Sequence, residues 1–99
     1  MSIEEMKQKV TPIAQAYALP KLAIFGSAAR GELTENSDID ILVAKSPQIR
    51  GLLSLSALAV ALEEALSKSV DLVTYDGLEK SYIKKYVLAD EVVLYEHPR

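Results

Sequence analysis

The chain has 99 residues, contains no cysteine and carries a formal net charge of -3 at pH 7. A chain of this length supports one hydrophobic core, so we expect residues 1–99 to form a single domain. The absence of cysteine excludes disulfides and thiolate metal sites. The excess of Asp and Glu over Lys and Arg disfavours a nucleic-acid-binding protein, because non-specific binding to nucleic acid depends on Lys and Arg side chains that neutralise the phosphates. A single nucleotide stays compatible with this charge if a divalent metal offsets it.

The N-terminal residues give no sign of a targeting segment. The stretch MSIEEMKQK contains acidic residues and no apolar signal core. No apolar run in the chain approaches the length of a membrane span. We therefore expect a cytoplasmic protein without a membrane partner.

An amphipathic helix is predicted first. Ser2 and Glu5 have the spacing of a capping box. Apolar residues then recur at helical spacing, which is typical of a face packed on a core: Ile3, Met6, Val10, Ile13 and Tyr17. Pro12 removes one backbone donor, so a kink or a helix restart is expected there.

A short apolar strand over 21–25 comes next and ends in a Gly-Ser turn. Gly26 and Ser27 are followed by a helical piece that includes Arg30 and ends at Gly31. Small residues let the backbone approach a phosphate, and amides at the start of a helix point toward an anion. Such turns are common after strands, so this feature alone is weak evidence of a binding site.

The second strand, predicted over Asp38 to Ala44, carries the stronger signal. Side chains alternate between the faces of a strand, so Asp38 and Asp40 leave the same face, roughly 6.6 Å apart along it. Ile39 and Ile41 point the opposite way, toward a core. Two carboxylates beside a phosphate-sized turn indicate a site for Mg²⁺ and a nucleoside triphosphate.

A helix from Leu52 to Lys68 follows, and its first half, LLSLSALAVAL, has no charge on any face. We expect this half to be buried on most sides or covered by another chain, which includes a homo-oligomer through 52–68. A third strand, Ser69 to Tyr75, contains Asp71 among apolar residues. A buried carboxylate needs a cation or a metal as partner, so Asp71 belongs either to a metal site or to an ion pair with a distant lysine.

The predicted closing elements are a helix from Leu78 to Leu88 and a strand from Val92 to Tyr95. The apolar side of the helix comprises Leu78, Tyr82, Ile83, Tyr86 and Val87, and its lysines are Lys80, Lys84 and Lys85. A solvated face is the ordinary role for these lysines, and contact with a nucleotide or partner is left open. His97 is assigned no chemistry. The alternation of helices and strands predicts an α/β or α+β fold, a small mixed sheet with helices mainly on one face.

Together, the motifs GSxARG at 26–31, SDID at 37–40 and VDL at 70–72 resemble the DNA polymerase beta-like nucleotidyltransferase superfamily. The match is closest to the minimal nucleotidyltransferase (MNT) domain family and extends over nearly the whole chain. The resemblance implies that Gly26 and Ser27 hold the β- and γ-phosphates. It also implies that Asp38, Asp40 and Asp71 are the catalytic acids and coordinate Mg²⁺, two ions in all. Arg30 either contacts phosphate or braces the turn by pairing with an acid such as Glu32.

The same resemblance implies an activity and a partner. MNT domains pair with HEPN-domain toxins and transfer AMP from ATP to a tyrosine of the toxin, so this chain is expected to be an antitoxin. Nothing beyond the catalytic core is left in the sequence to bind an acceptor, which fits a protein partner. Two alternatives stay open: a non-catalytic module that neutralises a toxin by contact, and a free-standing transferase acting on a small hydroxylated molecule. A nucleic-acid terminal transferase is disfavoured by the acidic charge.

Overall fold

The computed structural model describes residues 1–97, so the last two residues of the predicted domain, 98–99, lie outside the described part. The helices are α1 (Ile3–Ala16), α2 (Gly26–Ala29), α3 (Leu52–Leu66), α4 (Tyr75–Glu79) and α5 (Lys84–Asp90). The strands are β1 (Lys21–Phe25), β2 (Ile39–Val43), β3 (Val70–Thr74) and β4 (Val92–Glu96). In the described residues, no helix has both the length and the apolar character needed to cross a membrane.

The four strands form one mixed sheet in the order β3-β2-β1-β4. β1 pairs with β2 and with β4 in antiparallel fashion, whereas β2 and β3 run parallel. The C-terminal end of β1 therefore lies at the same end of the sheet as the N-terminal ends of β2 and β3. This confirms the predicted small mixed α+β sheet.

The two long helices, α1 and α3, pack on one face of the sheet, as expected. Their buried residues join alternate residues of the strands in the larger core cluster, whose members include Met6, Val10, Leu58, Leu62, Ile24, Ile39 and Ile41. The opposite face is not bare, because the short helices α4 and α5 contribute Leu78 and Val87 to a second cluster with Ala23 and Leu42. Because Asp40 alternates with Ile39 and Ile41, it projects on this second face.

The first helix begins as predicted, but it continues through Pro12 without the predicted interruption. The Ser2–Glu5 capping box is present, with both reciprocal hydrogen bonds formed. Pro12 neither ends nor restarts the first helix, and α1 runs through it from Ile3 to Ala16. Pro12 lies on the exposed side of α1, where loss of one backbone bond is tolerated.

The predicted helix from Leu78 to Leu88 is wrong as a single element. A turn after α4 separates it from α5, which begins at Lys84. Thr74 caps α4 by accepting a hydrogen bond from the Gly77 amide, so the helix begins earlier than the hydrophobic spacing indicated. The break also turns much of the expected apolar side outward, since Tyr82 is 93% exposed and Tyr86 65% exposed.

Candidate active site

The site is organised by the register of the two parallel strands. Asp40 of β2 lies directly opposite Asp71 of β3. Paired residues of neighbouring strands project to the same side of the sheet, so both carboxylates lie on the second face. The neighbours of each acid along its strand point the other way, into the larger core cluster. The structure thus brings together two acids that are 31 positions apart in the sequence. Asp71 is exposed, whereas Asp40 is half-buried, so the expectation of a buried Asp71 is wrong. Asp71 lies on β3 at the edge of the sheet, where water reaches it.

Asp38 lies just before β2, which begins at Ile39 rather than at Asp38 as predicted. The loop that leads into it is fixed by Lys68, whose ammonium group donates to the backbone carbonyls of Thr34, Glu35 and Ser37. The Ile39 amide also donates to the Ser69 carbonyl, at 2.9 Å, which joins the start of β2 to the start of β3. Lys68 was not predicted as a site residue. Its role depends on contacts 31 to 34 residues away, for which the sequence has no local signal.

The Gly-Ser turn approaches Asp40 closely. Phe25, the last residue of β1, pairs with Asp40, and Gly26 follows with a φ of +66°. A Cβ atom built on Gly26 would lie 2.4 Å from Oδ2 of Asp40, closer than real Cβ contacts come. Only glycine allows both the left-handed backbone and this approach. The predicted phosphate-binding turn and the predicted catalytic acid therefore lie against each other, and Ser27 is the second residue of the short helix α2.

The electrostatic environment of Asp40 disfavours its charge. Burial raises the pKa of its carboxyl above the ordinary value, and the negative charges of Asp71 and Asp38 raise that pKa further. Arg30 acts in the opposite direction but more weakly. The charges of Asp38 and Asp71 therefore both act on Asp40, at the point where the turn meets the sheet.

Arg30 binds two carboxylates rather than standing free. Its Nε donates to Glu32 at 2.8 Å. This is the pairing expected if Arg30 braces the turn. Its Nη1 donates to Asp90 at 2.5 Å, which joins the turn to the C-terminal end of α5. Sequence reasoning missed Asp90, because the contact spans 60 positions. These two bonds also raise the pKa of the Arg30 guanidinium.

A second polar network, around Tyr75 and Glu91, lies on the same side of the sheet. The Tyr75 hydroxyl donates to the Glu91 carboxylate, and Lys21 pairs with Glu91 at 3.7 Å and lies over the Tyr75 ring. Burial, together with Glu91, raises the pKa of Tyr75. This network ties the start of α4 to the link between α5 and β4.

The donor set fits a hard divalent cation. Mg²⁺ prefers carboxylate oxygen, and Arg30 acts on Asp40 more weakly than burial and the neighbouring acids do. Within residues 1–97, no group of three or more acidic, histidine or cysteine side chains is already gathered closely enough to hold a metal ion. Asp38, Asp40 and Asp71 are the residues that would hold it.

Comparison with known proteins agrees with this geometry. The family model described as "Polymerase beta, Nucleotidyltransferase" matches residues 8–99. A candidate protein adenylyltransferase of Methanocaldococcus jannaschii is 45% identical over 78 residues, which cover 79% of this chain and 83% of that protein.

Two solved structures have the same fold. A candidate minimal nucleotidyltransferase superposes with a TM-score of 0.76 at 34% identity, over 93% of this chain and 95% of that one. A toxin–antitoxin crystal structure with AMP-PNP contains a chain that matches with a TM-score of 0.73 at 26% identity, over 92% of this chain and 73% of that one. The matched family model covers the turn, all three acids and every strand, and the chain therefore belongs to the polymerase beta nucleotidyltransferase family.

Proposed function

We propose that this chain transfers AMP from ATP to a tyrosine hydroxyl of a HEPN-type toxin and acts as the antitoxin of that pair. The observation that carries the proposal is the pairing of Asp40 with Asp71 on parallel strands, with the Asp40 carboxylate against Gly26. Acids arranged this way beside a glycine turn suit nucleotidyl transfer, which needs positioning and charge stabilisation rather than a covalent intermediate.

The comparisons support the choice of donor and acceptor. The Methanocaldococcus jannaschii relative carries the name of a protein adenylyltransferase, and the toxin–antitoxin structure contains an ATP analogue. The name of the relative and the toxin–antitoxin composition of that structure both support a protein as the acceptor. The HEPN class of toxin follows from the family resemblance of the GSxARG and SDID motifs.

The chemistry is an in-line displacement at the α-phosphorus. The acceptor oxygen forms the new P–O bond, the bond between the α-phosphorus and the bridging oxygen breaks, and pyrophosphate leaves with that electron pair. Asp71, exposed at the sheet edge, is available to receive the proton of the acceptor hydroxyl. Gly26 and Ser27 would bind the β- and γ-phosphates. Mg²⁺ held by the three acids would neutralise the triphosphate charge.

The acid-bearing side of the sheet also offers a surface for binding the acceptor protein. α4 and α5 cover this side, and the turn between them exposes Tyr82 and Ile83. Lys80 and Lys85 are exposed on the same segment. We infer that a partner binds here through apolar and acidic groups, and so brings its hydroxyl to the Asp71 edge.

Incubation with Mg²⁺ and α-labelled ATP, with and without a HEPN-type toxin co-expressed with this chain, tests the proposal. Label should move to that protein, and replacement of the acceptor tyrosine by Phe should abolish transfer. Asp40→Asn should abolish labelling, whereas Asp76→Asn, an exposed acid of α4, should retain it.

The outcome also separates the alternatives. Full neutralisation of the toxin by Asp40→Asn would overturn the enzymatic proposal in favour of a module that acts by contact. Transfer to a small hydroxylated molecule in the absence of any protein partner would overturn the choice of acceptor.

A further inference from the structure

The polar loop that leads into β2 is held by Lys68, from the turn between α3 and β3. The Lys68 ammonium group donates to three backbone carbonyls of the loop, at 2.8 Å for Thr34, 3.2 Å for Ser37 and 3.3 Å for Glu35. An ammonium group has three N–H donors, so these carbonyls engage all of them. Hydrogen bonds from a charged donor are stronger than neutral ones, and here they hold a largely exposed loop in one place.

Asp38 lies between two peptide groups that the same turn fixes. The carbonyl of Ser37, directly before Asp38, accepts from Lys68. The amide of Ile39, directly after Asp38, donates to the carbonyl of Ser69 at 2.9 Å. The Asp38 side chain is exposed, and within residues 1–97 no hydrogen bond or ion pair restrains it. The position of this carboxylate therefore depends on its backbone, which residues 68 and 69 hold from both sides.

The turn that carries Lys68 is itself fixed to α3 and β3. Ser67 follows α3 with a φ of +55°, in the left-handed region that non-glycine residues seldom adopt. A residue in this conformation persists where the surrounding structure imposes it. Two residues after Lys68, the amide of Val70 donates to the Glu63 carboxylate of α3 at 3.0 Å. The ammonium group is therefore supported by elements other than the loop that it holds.

The Lys68 charge acts on the loop backbone rather than on the Asp40 carboxyl. The charges that shift the pKa of Asp40 are those of the two neighbouring acids and of Arg30, and that of Lys68 is not among them. Within residues 1–97, Lys68 forms no ion pair, and its charge is matched by the three carbonyl dipoles. The contribution of Lys68 to the site is therefore one of position.

We propose that Lys68 is a positioning residue, which fixes the backbone of Asp38 so that this carboxylate serves as a ligand for a divalent cation. Asp40 and Asp71 are placed by strand pairing, but Asp38 lies one residue before β2 and lacks that restraint. A ligand on a fixed backbone loses less conformational freedom when the cation binds, so its contribution to affinity is larger. The inference rests on the proposed function, which assigns the cation to these three acids.

Alkylation at position 68 tests this proposal. The chain contains no cysteine, so Lys68→Cys introduces a single site for thiol alkylation. Bromoethylamine then adds a group that ends in an ammonium at nearly the length of lysine. Propyl iodide adds a group of the same shape that ends in a methyl, so the two products differ in the charged donor alone. Lys68→Met gives a second neutral side chain that needs no alkylation.

Two measurements on the full chain without nucleotide report the outcome. Hydrogen exchange of the Ile39 amide reports the order of the backbone beside Asp38. Electron paramagnetic resonance reports the binding of Mn²⁺, which takes the place of Mg²⁺. The propyl form and Lys68→Met should exchange faster at Ile39 and bind Mn²⁺ at least about tenfold more weakly than the wild type, the usual effect of losing a residue that orients a metal ligand. The ammonium form should match the wild type in both measurements.

Lys45 supplies the control. It follows β2 at the opposite end and pairs with Asp76 at 3.8 Å, so the propyl form of Lys45→Cys should bind Mn²⁺ as the wild type does. Circular dichroism verifies that each form folds. Wild-type affinity for Mn²⁺ in the neutral forms, no recovery in the ammonium form, or no binding by the wild type would overturn the proposal. A wild type that binds Mn²⁺ but transfers no AMP would contradict the proposed function and leave the role of Lys68 standing.

Discussion

Replacing Gly26 by Ala should lower the rate of transfer while the protein stays folded, and Gly31→Ala is the matched control. Both glycines have positive φ values, +66° for Gly26 and +72° for Gly31. They differ in what a side chain would meet. A Cβ at position 26 would lie 2.4 Å from Oδ2 of Asp40, whereas nothing lies within 4 Å of a Cβ at position 31.

The magnitudes separate backbone strain from displacement of the acid. A left-handed backbone costs a non-glycine residue about 1–2 kcal/mol, so both variants should lose about that much free energy of unfolding. In Gly26→Ala the Asp40 carboxylate must also move by roughly half an ångström or more to relieve the contact, and a displacement near 1 Å lowers the rate of a positioned reaction about 100-fold. We expect transfer by Gly26→Ala to fall at least about tenfold below that of Gly31→Ala.

Urea unfolding measures the first quantity, and single-turnover transfer from α-labelled ATP measures the second. Both assays are run at a temperature where each variant is folded. Equal transfer rates in the two variants, at equal stability loss, would refute the reasoning, because the close approach of Asp40 to Gly26 would then have no catalytic consequence.

Three further predictions address the charges around the site. Asp40→Asn should raise the free energy of unfolding of the metal-free protein at pH 7, because burial and neighbouring acids raise the pKa of this carboxyl above its ordinary value of 3.8. At pH values between 3.8 and the raised pKa, the folded wild type holds a proton that the unfolded chain has released. Its stability should therefore fall as pH rises through this interval and stay lower above it. Urea titrations at several pH values should find that Asp40→Asn lacks this decline. If the ion pair between Arg30 and Asp90 only braces the turn, transfer should fall by the same factor in Arg30→Ala, in Asp90→Ala and in the double variant. A KM for ATP that is raised by Arg30→Ala alone would instead indicate that Arg30 contacts phosphate. Tyr75→Phe should lower the free energy of unfolding by about 1 kcal/mol through loss of its hydrogen bond to Glu91, and a changed transfer rate at saturating ATP would contradict a purely structural role.

The positions of the Gly26 turn and of Asp40 in the fold could be predicted from the sequence because their signals are local. The placement of Asp40 depends on alternation with Ile39 and Ile41, and the Gly26 turn depends on residues adjacent in the chain. The pairing of Asp71 with Asp40 could be predicted only through the family resemblance, since strand order is a property of the whole fold.

The predictions that failed involve contacts distant in the chain or competing local signals. The break between α4 and α5 follows from the Thr74 cap and the turn after Lys80, which outweigh the apolar spacing of 78–88. Asp90 and Lys68 acquire their roles through contacts 31 to 60 residues away. No pattern within one element indicates such partners.

The alternation of inward and outward side chains along β3 limits which mutations the fold can tolerate. Val70 and Leu72 pack against the larger core, and Asp71 between them must face the other way. A shift of β3 by one residue would expose both apolar side chains and bury the acid, so the core itself opposes that error. Insertions between α3 and β3 should accordingly be absorbed as longer loops, with the acid pair reassembled each time the core closes. Mutational drift in this region is then constrained by hydrophobic burial even when the activity is not under selection.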